Sequence, residues 1–171
     1  MIKIIINAFA NDKPGLVSKI TNIIRQNHGN IEISKMIQLE SDFTLLLLIE
    51  IDKKNIKTLI NKLDKIEDLK INYKKTQEKQ CDKKYSDYLF KVNVADSEGI
   101  IYLFSNLFKQ YNINIVDMDT YIKNAANTGF PIFFLKSNII IPIECNIKKL
   151  TNDLNEVAQK NSIEYKLIRN N

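Results

Sequence analysis

The spacing of hydrophobic residues changes several times along the first half of the chain. Apolar residues at every second position are typical of a half-buried strand, and apolar residues three and four positions apart are typical of an amphipathic helix. These patterns predict, in order, a strand at 2–9, a helix at 16–24, strands at 31–39 and 43–51, a helix at 56–66 and a strand at 69–73. The predicted element order is βαββαβ.

The second half of the chain repeats this order. Its patterns predict a strand at 88–94, a helix at 100–111, strands at 113–122 and 131–135, a less regular stretch at 137–142, a helix at 147–157 and a strand at 163–168. The order βαββαβ is that of the ferredoxin-like fold. We therefore expect an α+β protein with two tandem modules, each an antiparallel sheet with two helices on one face.

Two glycines mark the internal duplication. Gly15 and Gly99 each precede an amphipathic run and are 84 residues apart, and the same offset places Asn30-Ile31 on Asn114-Ile115 without a gap. The polar stretch between the copies has no periodicity and is typical of a linker. The expected boundaries are 1–76 for the first module, 77–86 for the linker and 87–171 for the second module.

The predicted strand at 43–51 is apolar on both faces. Its odd-numbered positions would face the helices, but Leu46 and Leu48 lie on the other side. Apolar residues on that side form a surface that should be covered. Docking between modules or between chains would cover it; the alternative is a strand that is simply hydrophobic.

Charge and hydropathy narrow the classes of function. The net charge of +5 comes almost entirely from lysine, since Arg25 and Arg169 are the only arginines. Base recognition and bidentate phosphate contacts favour arginine, and the predicted middle strands carry Ile and Leu where base-stacking aromatics would be needed. No run of about 18 apolar residues suggests a membrane span. We expect a cytoplasmic protein without direct contacts to nucleic acid or membrane.

The residues needed for catalysis are sparse. His28 is the only histidine, and it lies at a predicted helix end beside Gly29, where it suits a cap better than a general base. Cys81 and Cys145 are too few and too far apart for a disulfide framework or a metal cluster. Phosphate-binding glycine motifs are also missing. The sequence therefore predicts no enzyme, no metal and no cofactor.

The loops before the first helix of each copy are the candidate binding sites. A helix N-terminus offers free N–H donors to a carboxylate, and Gly15 would let a ligand approach the backbone. Asn11 or Asp12 could accept hydrogen bonds from an α-ammonium group. The second copy has similar candidate groups in Asp96, Ser97, Gly99 and Ile100. Glu98 replaces Pro14 there, and its negative charge would repel an anion.

Structural roles could explain the same residues. Asp12, Asp96 and Ser97 suit a helix N-cap, and Pro14 suits the first helical position. Gly15 and Gly99 could serve tight helix–strand packing. Gly29 is expected to stop the first helix, and Asn30 and Asn114 could stabilise the turns into the following strands.

These residues resemble a known family. The runs Asn11-Asp12-Lys13-Pro14-Gly15-Leu16-Val17, Gly29-Asn30-Ile31 and Phe43-Thr44-Leu45-Leu46-Leu47 are similar to the signature of the ACT domain family. The run from Phe90 to Ser97, the polar linker and a second turn without proline are similar to the tandem-ACT repressors of glycine cleavage genes.

The resemblance implies a regulatory protein that responds to an amino acid such as glycine. It would act through contact with a protein such as a transcriptional activator, and a homodimer is compatible with it. The alternative is a detached ACT regulatory subunit of an amino-acid metabolic enzyme. The candidate ligand-binding residues are Asn11, Asp12, Pro14, Gly15, Leu16, Asn30 and Ile31, with Asp96, Ser97, Gly99, Ile100, Asn114 and Ile115 in the second copy.

Overall fold

The computed structural model describes residues 1–77, 84–95, 97–125 and 129–170. The chain divides into two compact units, Met1–Gln80 and Cys81–Asn171, here called the first and second modules. Each contains four strands and two α-helices in the predicted order. No helix in the described ranges is long and apolar enough to cross a membrane.

The first module folds as βαββαβ with one antiparallel sheet in the order β2-β3-β1-β4. A short 3-10 turn, Lys53–Asn55, leads into its second helix. The elements are β1 (Ile2–Asn11), α1 (Leu16–Gln26), β2 (Asn30–Leu39), β3 (Asp42–Ile51), α2 (Ile56–Leu63) and β4 (Lys70–Thr76).

The second module has the same topology, with the sheet order β6-β7-β5-β8. Its elements are β5 (Tyr85–Ala95), α3 (Ile100–Gln110), β6 (Asn114–Asn124), β7 (Pro131–Pro142), α4 (Ile147–Lys160) and β8 (Glu164–Arg169). Strand β5 begins at Tyr85, inside the stretch expected as linker. The two tandem ferredoxin-like modules of the prediction are confirmed.

Alternation along the strands gives each module its core. In β1, Ile4, Ile6 and Ala8 are buried and join residues of α1 and α2 in one hydrophobic cluster. The intervening residues lie on the opposite side of the sheet, which no helix of the module covers and which we call the open face. Since residues along a strand point alternately to the two faces, the burial patterns of the central strands β1, β3, β5 and β7 assign their residues to the two sides. The pairing register extends this assignment to β2 and β6.

Strand β7 corrects the expectation of a less regular stretch at 137–142, because it runs unbroken from Pro131 to Pro142. Ser137 disturbed the apolar pattern, yet its side chain is buried on the helix side. Its hydroxyl donates to the backbone oxygen of Asp117 at 2.7 Å, which satisfies the buried polar group.

The helix boundaries correct three further expectations. Helix α1 begins at Leu16 with Gly15 as its N-cap, so Pro14 precedes the helix and Asp12 does not cap it. Helix α3 begins in the same way on Gly99, and Ser97 does not cap it. Asp96, expected as an alternative cap and as a ligand residue, lies outside the described residues.

The end of α1 does not use its glycine for the left-handed turn. Helix α1 ends at Gln26, and the left-handed residue that follows is His28, at φ 56°, while the N–H of Gly29 donates to the carbonyl oxygen of Ile24 at 3.0 Å. Gly29 is required for a different reason, since a Cβ there would lie 2.9 Å from Ile24 Cγ2 and 3.2 Å from Ile49 Cγ2. The missing side chain lets the start of β2 pack closely on the core. Such packing was expected at Gly15, not at Gly29.

Candidate functional site

The β1–α1 loop, residues 12–15, is the candidate site of the first module. Asn11, Asp12, Pro14 and Gly15 are all exposed, so a ligand can reach them from solvent. Gly15 has φ 86°, in the left-handed region that favours glycine, and a Cβ built there would have no neighbour within 4 Å. Tight packing is therefore not why this position is glycine. The space beside the backbone is open.

The N-terminus of α1 has no side-chain cap within the described part of the module. The N–H of Leu16 donates to the carbonyl oxygen of Lys13 at 3.2 Å. The first-turn N–H groups of an α-helix have no partner within the helix and carry the positive end of its dipole. Helix α4 differs, because the side chain of Asn146 accepts from Lys149 N–H at 3.0 Å. A carboxylate could take the corresponding place at α1.

Two neighbouring loops hold the β1–α1 loop in place. The N–H of Asp12 donates to the carbonyl oxygen of Ser41 in the β2–β3 turn at 3.0 Å. Lys13 Nζ lies 2.8 Å from Asp68 Oδ2 in the α2–β4 connection. The hydrogen bond to Asp68 and its charge raise the pKa of the Lys13 ammonium. These partners are 29 and 55 residues away in sequence, so spacing alone gave no signal for them.

The β5–α3 loop of the second module repeats the left-handed glycine of the first. Gly99 has φ 84° and open space where a Cβ would stand. Ser97 and Glu98 are exposed, whereas Ile100 is buried in the core. The carboxylate of Glu98 stands in the loop position of Pro14. The two loops therefore share the conformation of their glycine but differ in charge.

The remaining candidate residues do not join these loops. Asn11 pairs with Asp42 at one end of β3, whereas Asn30 pairs with Glu50, eight residues further along that strand. At about 3.3 Å per residue the two asparagines are about 26 Å apart. The register of the second module separates Ala95 from Asn114 in the same way. One ligand the size of an amino acid cannot contact both groups within a module.

The hydrophobic candidates mainly serve the cores. Ile100 is buried, and Leu16, Ile31 and Ile115 are partly buried and pack against the core clusters. Asn114 and Ile115 instead border a shallow depression at the end of α3, together with Ser105, Lys109 and Asn112. The described residues contain no group of three or more His, Cys, Asp or Glu side chains arranged to hold a metal ion.

Comparison with known sequences relates the first module to a family. Residues 3–73 match the ACT domain family, and this match runs from β1 into β4. The second module repeats the topology of the first, so the chain has the tandem ferredoxin-like architecture that the sequence predicted.

Similarity to proteins of known name extends along the whole tandem. The chain is 27% identical over 173 residues to the glycine cleavage system transcriptional repressor of Escherichia coli strain K12, covering 95% of this chain and 90% of that protein. The values for the repressor of the same name from Shigella flexneri are identical.

Two solved structures share the fold over nearly their full length. An unknown protein from Galdieria sulphuraria aligns with a TM-score of 0.84 at 20% identity, covering 99% of each chain. A protein provisionally named as a glycine cleavage system transcriptional repressor aligns with a TM-score of 0.70 at 22% identity, covering 99% of this chain and 98% of its own. The sequence similarity to named repressors supports a regulatory role for this protein, and the two solved structures support its fold.

Proposed function

We propose that the protein is an amino-acid-responsive, non-catalytic regulator that binds its effector at the β1–α1 loop and acts by contact with another protein. The observation that carries the proposal is the N-terminus of α1, which is uncapped by side chains and opens on an exposed loop with free space beside Gly15. The ACT domain match over residues 3–73 and the similarity to named repressors support the regulatory part.

An α-amino acid suits the chemistry of this loop. Its carboxylate would accept from the N–H groups of the first turn of α1, where the helix dipole favours negative charge. Its ammonium group would donate to the side-chain oxygen of Asn11 or to the carboxylate of Asp12, both of which are exposed. Glycine is the first effector to test, because the similar proteins are repressors of the glycine cleavage system.

The first loop is the better of the two sites. Both loops present a left-handed glycine before a helix. In the second loop, however, Glu98 adds a negative charge where the effector carboxylate would approach. The repulsion between like charges grows as the distance between them shrinks. The β5–α3 loop should therefore bind the same ligand more weakly or not at all.

The regulatory output would be a change in affinity for a protein partner, such as a transcriptional activator of glycine cleavage genes. An effector can shift a protein between two states only by as much as it binds one state better than the other. The proposal therefore requires that the partner and the amino acid influence each other's affinity by the same factor.

Isothermal titration with glycine and then a panel of other amino acids tests the binding step. We expect saturable binding by the wild type and at least tenfold weaker binding by Asp12→Ala and by Gly15→Val. Gly99→Val is the matched control, because it places the same side chain at the same φ in the other module, and it should bind like the wild type. No binding by the wild type at millimolar concentration of any amino acid would remove the effector proposal.

The output is tested separately with the purified activator of the glycine cleavage genes from the same source. Its affinity for the chain is measured by biolayer interferometry with and without saturating glycine. A change of fivefold or more that Asp12→Ala abolishes would support the proposal. Equal affinity in both conditions would contradict regulation by glycine through this partner.

A further inference from the structure

The two helices of the first module form a strongly basic surface. Helix α1, the 3-10 turn Lys53–Asn55 and helix α2 together carry five lysines and one arginine, and none of the three elements contains an acidic residue. We call this surface the first helix layer. Its positive charge exceeds the net charge of the whole chain, which is +5. The six cations are all exposed, and they are Lys19, Arg25, Lys53, Lys54, Lys57 and Lys62.

The cations of this layer lie side by side without partners of opposite charge. Helix α1 packs against α2, and the side chain of Asn55 donates to the carbonyl oxygen of Asn27 at 3.2 Å, which joins the end of α1 to the 3-10 turn. Within the described residues, none of the five lysines forms an ion pair. Arg25 donates to the side-chain oxygen of Asn22 at 3.0 Å. The layer therefore presents its positive charge to solvent.

The acidic residues nearest in sequence lie at the margins of the layer. Asp52 lies 3.9 Å from the amino group of Met1, and Asp68 lies 2.8 Å from Lys13 Nζ, so both carboxylates are already engaged. The charges that directly follow α2 add up to one negative charge, and they are those of Asp64, Lys65 and Glu67. The margins therefore offset little of the charge of the layer.

The second module shows that the fold does not need this charge. Its helices α3 and α4, the second helix layer, carry four lysines and two carboxylates. Helices α2 and α4 align through their buried leucines, Leu59 and Leu63 with Leu150 and Leu154. This alignment places Glu144 at the position of Lys53, and Asp153 at that of Lys62. A general bias toward lysine would raise the charge of both layers alike, so the charge of the first has another cause.

Helix stability does not explain the charge either. Lys53 and Lys54 precede α2, whose first turn contains no acidic residue. The N-terminus of a helix carries the positive end of its dipole, which disfavours cations there. Lys57 follows one turn later, and like charges three and four positions apart destabilise a helix. A charge pattern that lowers local stability is typical of a surface kept for binding.

We propose that the first helix layer is the docking surface for an acidic patch on a protein partner. The proposal rests on the proposed function, because it names the surface through which the regulator makes its protein contact. Opposite charges on two protein surfaces speed their encounter and fix their relative orientation. The layer supplies one sign of charge over two adjacent helices, and an acidic patch supplies the other.

Other anionic partners fit this layer less well. Nucleic acid is best held by arginine and by aromatic stacking, but the layer has one arginine and no aromatic residue. Peripheral membrane helices insert large apolar side chains between the lipids. In the layer, all of whose residues the structure describes, Val17 is the only exposed large hydrophobic residue. The lysines therefore favour a partner recognised by charge at a folded surface.

Fluorescence anisotropy with labelled poly-L-glutamate, without amino acids, tests the charge recognition. The wild type should bind at about 50 mM salt and more weakly at about 300 mM, because salt screens exposed charges. Lys53→Glu combined with Lys62→Asp should weaken binding at least tenfold. The second module carries acidic residues at both corresponding positions, so the fold tolerates them. Circular dichroism melting checks that the variant is folded.

Lys109→Glu combined with Lys148→Glu is the matched control. It changes the net charge by the same amount on the second helix layer, and it should bind poly-L-glutamate like the wild type. Equal weakening in both double variants would show that binding follows net charge alone and would overturn the proposal. A wild type that does not bind at low salt overturns it as well. Tighter binding of duplex DNA or of phosphatidylglycerol vesicles than of poly-L-glutamate would also overturn it, by assigning the layer to another class of partner.

The glycine titration and the interferometry separate this proposal from the proposed function. The first double variant leaves the β1–α1 loop unchanged and should bind glycine like the wild type. With the purified activator as partner, this variant should bind at least tenfold more weakly than the wild type, and the control variant should not. Undiminished binding of the activator by the first double variant would overturn the docking surface, even where glycine still changes the affinity. A wild type that fails to bind glycine would remove the effector and leave the docking result standing.

Discussion

The two modules fill the same core with different side chains. Three isoleucines of the first module, Ile6, Ile20 and Ile24, are replaced at the 84-residue offset by Phe90, Phe104 and Phe108. All six side chains are fully buried. The ring centroids of Phe104 and Phe108 each lie 4.9 Å from that of Phe90 in edge-to-face contacts, which aromatic pairs prefer.

A neighbouring strand makes room for the rings. In the first module Ile6 pairs with Leu47, whereas in the second Phe90 pairs with Ser137. The smaller serine offsets the three larger phenylalanines, so these four side chains together fill a volume similar to that of the three isoleucines and Leu47, and close-packed interiors require that balance. The difference teaches that this topology constrains the total volume of a core cluster rather than the identity of its members.

Truncating the side chain of Phe90, the central ring of the second core, should have the largest effect on stability. Phe90→Ala leaves a cavity amid Phe104 and Phe108, and we expect the free energy of unfolding of the second module to fall by about 4 kcal/mol. Urea unfolding gives the magnitude, and hydrogen exchange with mass spectrometry assigns it to a module. Tyr102→Ala, at an exposed aromatic of the same module, is the control and should change stability little.

Adding volume to the Phe90–Ser137 pair should have the second-largest effect on stability. Ser137→Leu adds side-chain volume beside Phe90 and removes the hydroxyl bonded to Asp117, so we expect a loss of about 3 kcal/mol. Adding Phe90→Ile recreates the Ile–Leu pair of the first module and should recover part of that loss. A double-mutant cycle measured by urea unfolding gives the coupling; additive effects would refute volume compensation.

Substituting Gly29 or Gly15 of the first module should lower its stability by smaller amounts, which differ between the two positions. Gly29→Ala places a Cβ against Ile24 and Ile49, and we expect a loss of about 2 kcal/mol from overpacking. Gly15→Ala meets no neighbour but must adopt φ 86°, which costs about 1 kcal/mol. Thermal unfolding ranks the two variants. If Gly15→Ala were the more damaging, the loop would be packed more tightly than the structure shows.

The smallest expected effect on stability is the loss at high pH of one hydrogen bond in the second module. A hydrogen bond of 2.5 Å from Tyr111 to Asp153 raises the pKa of the phenol to about 12, and the first module has Asn27 at that position. Because the folded pKa lies above the unfolded value of about 10, this bond stabilises the fold below pH 10. The stabilisation is lost as the pH rises through 12.

The absorbance of ionised tyrosine, compared between wild type and Tyr111→Phe, isolates this group. One phenol should titrate near pH 12 in the wild type, and Asp153→Asn should lower its pKa. An unchanged midpoint in Asp153→Asn would show that the hydrogen bond does not control the ionisation.

Periodicity predicted the elements of both modules because their buried faces are almost purely apolar. It was wrong at 137–142 because the buried side of β7 includes Ser137, whose partner is a backbone oxygen on another strand. Periodicity placed the start of α1 at Leu16, where the structure has it. The capping signals of Asp12 and Pro14 pointed to an earlier entry, but Gly15, with its left-handed φ, is the N-cap.

The candidate site was less predictable than the fold. The sequence predicted a binding site in the loop around Gly15, and the structure has this loop exposed with free space beside the glycine. Ligand binding there stays a prediction. The sequence also grouped Asn30 with Asn11, which the antiparallel register separates by most of the sheet length. Contacts such as Lys13 with Asp68 depend on where the α2–β4 connection lies, and no local pattern encodes that.

One small irregularity bears on the ancestry of the chain. The pairing of β2 with β3 shifts register between Ile31 and Ile33, and that of β6 with β7 shifts between Ile115 and Asp117, at the same 84-residue offset. Unrelated chains can converge on a βαββαβ topology, but β-bulges are conserved within families. The matching bulges therefore support the origin of both halves from one duplicated gene segment, and the differences between their cores and helix layers measure their divergence.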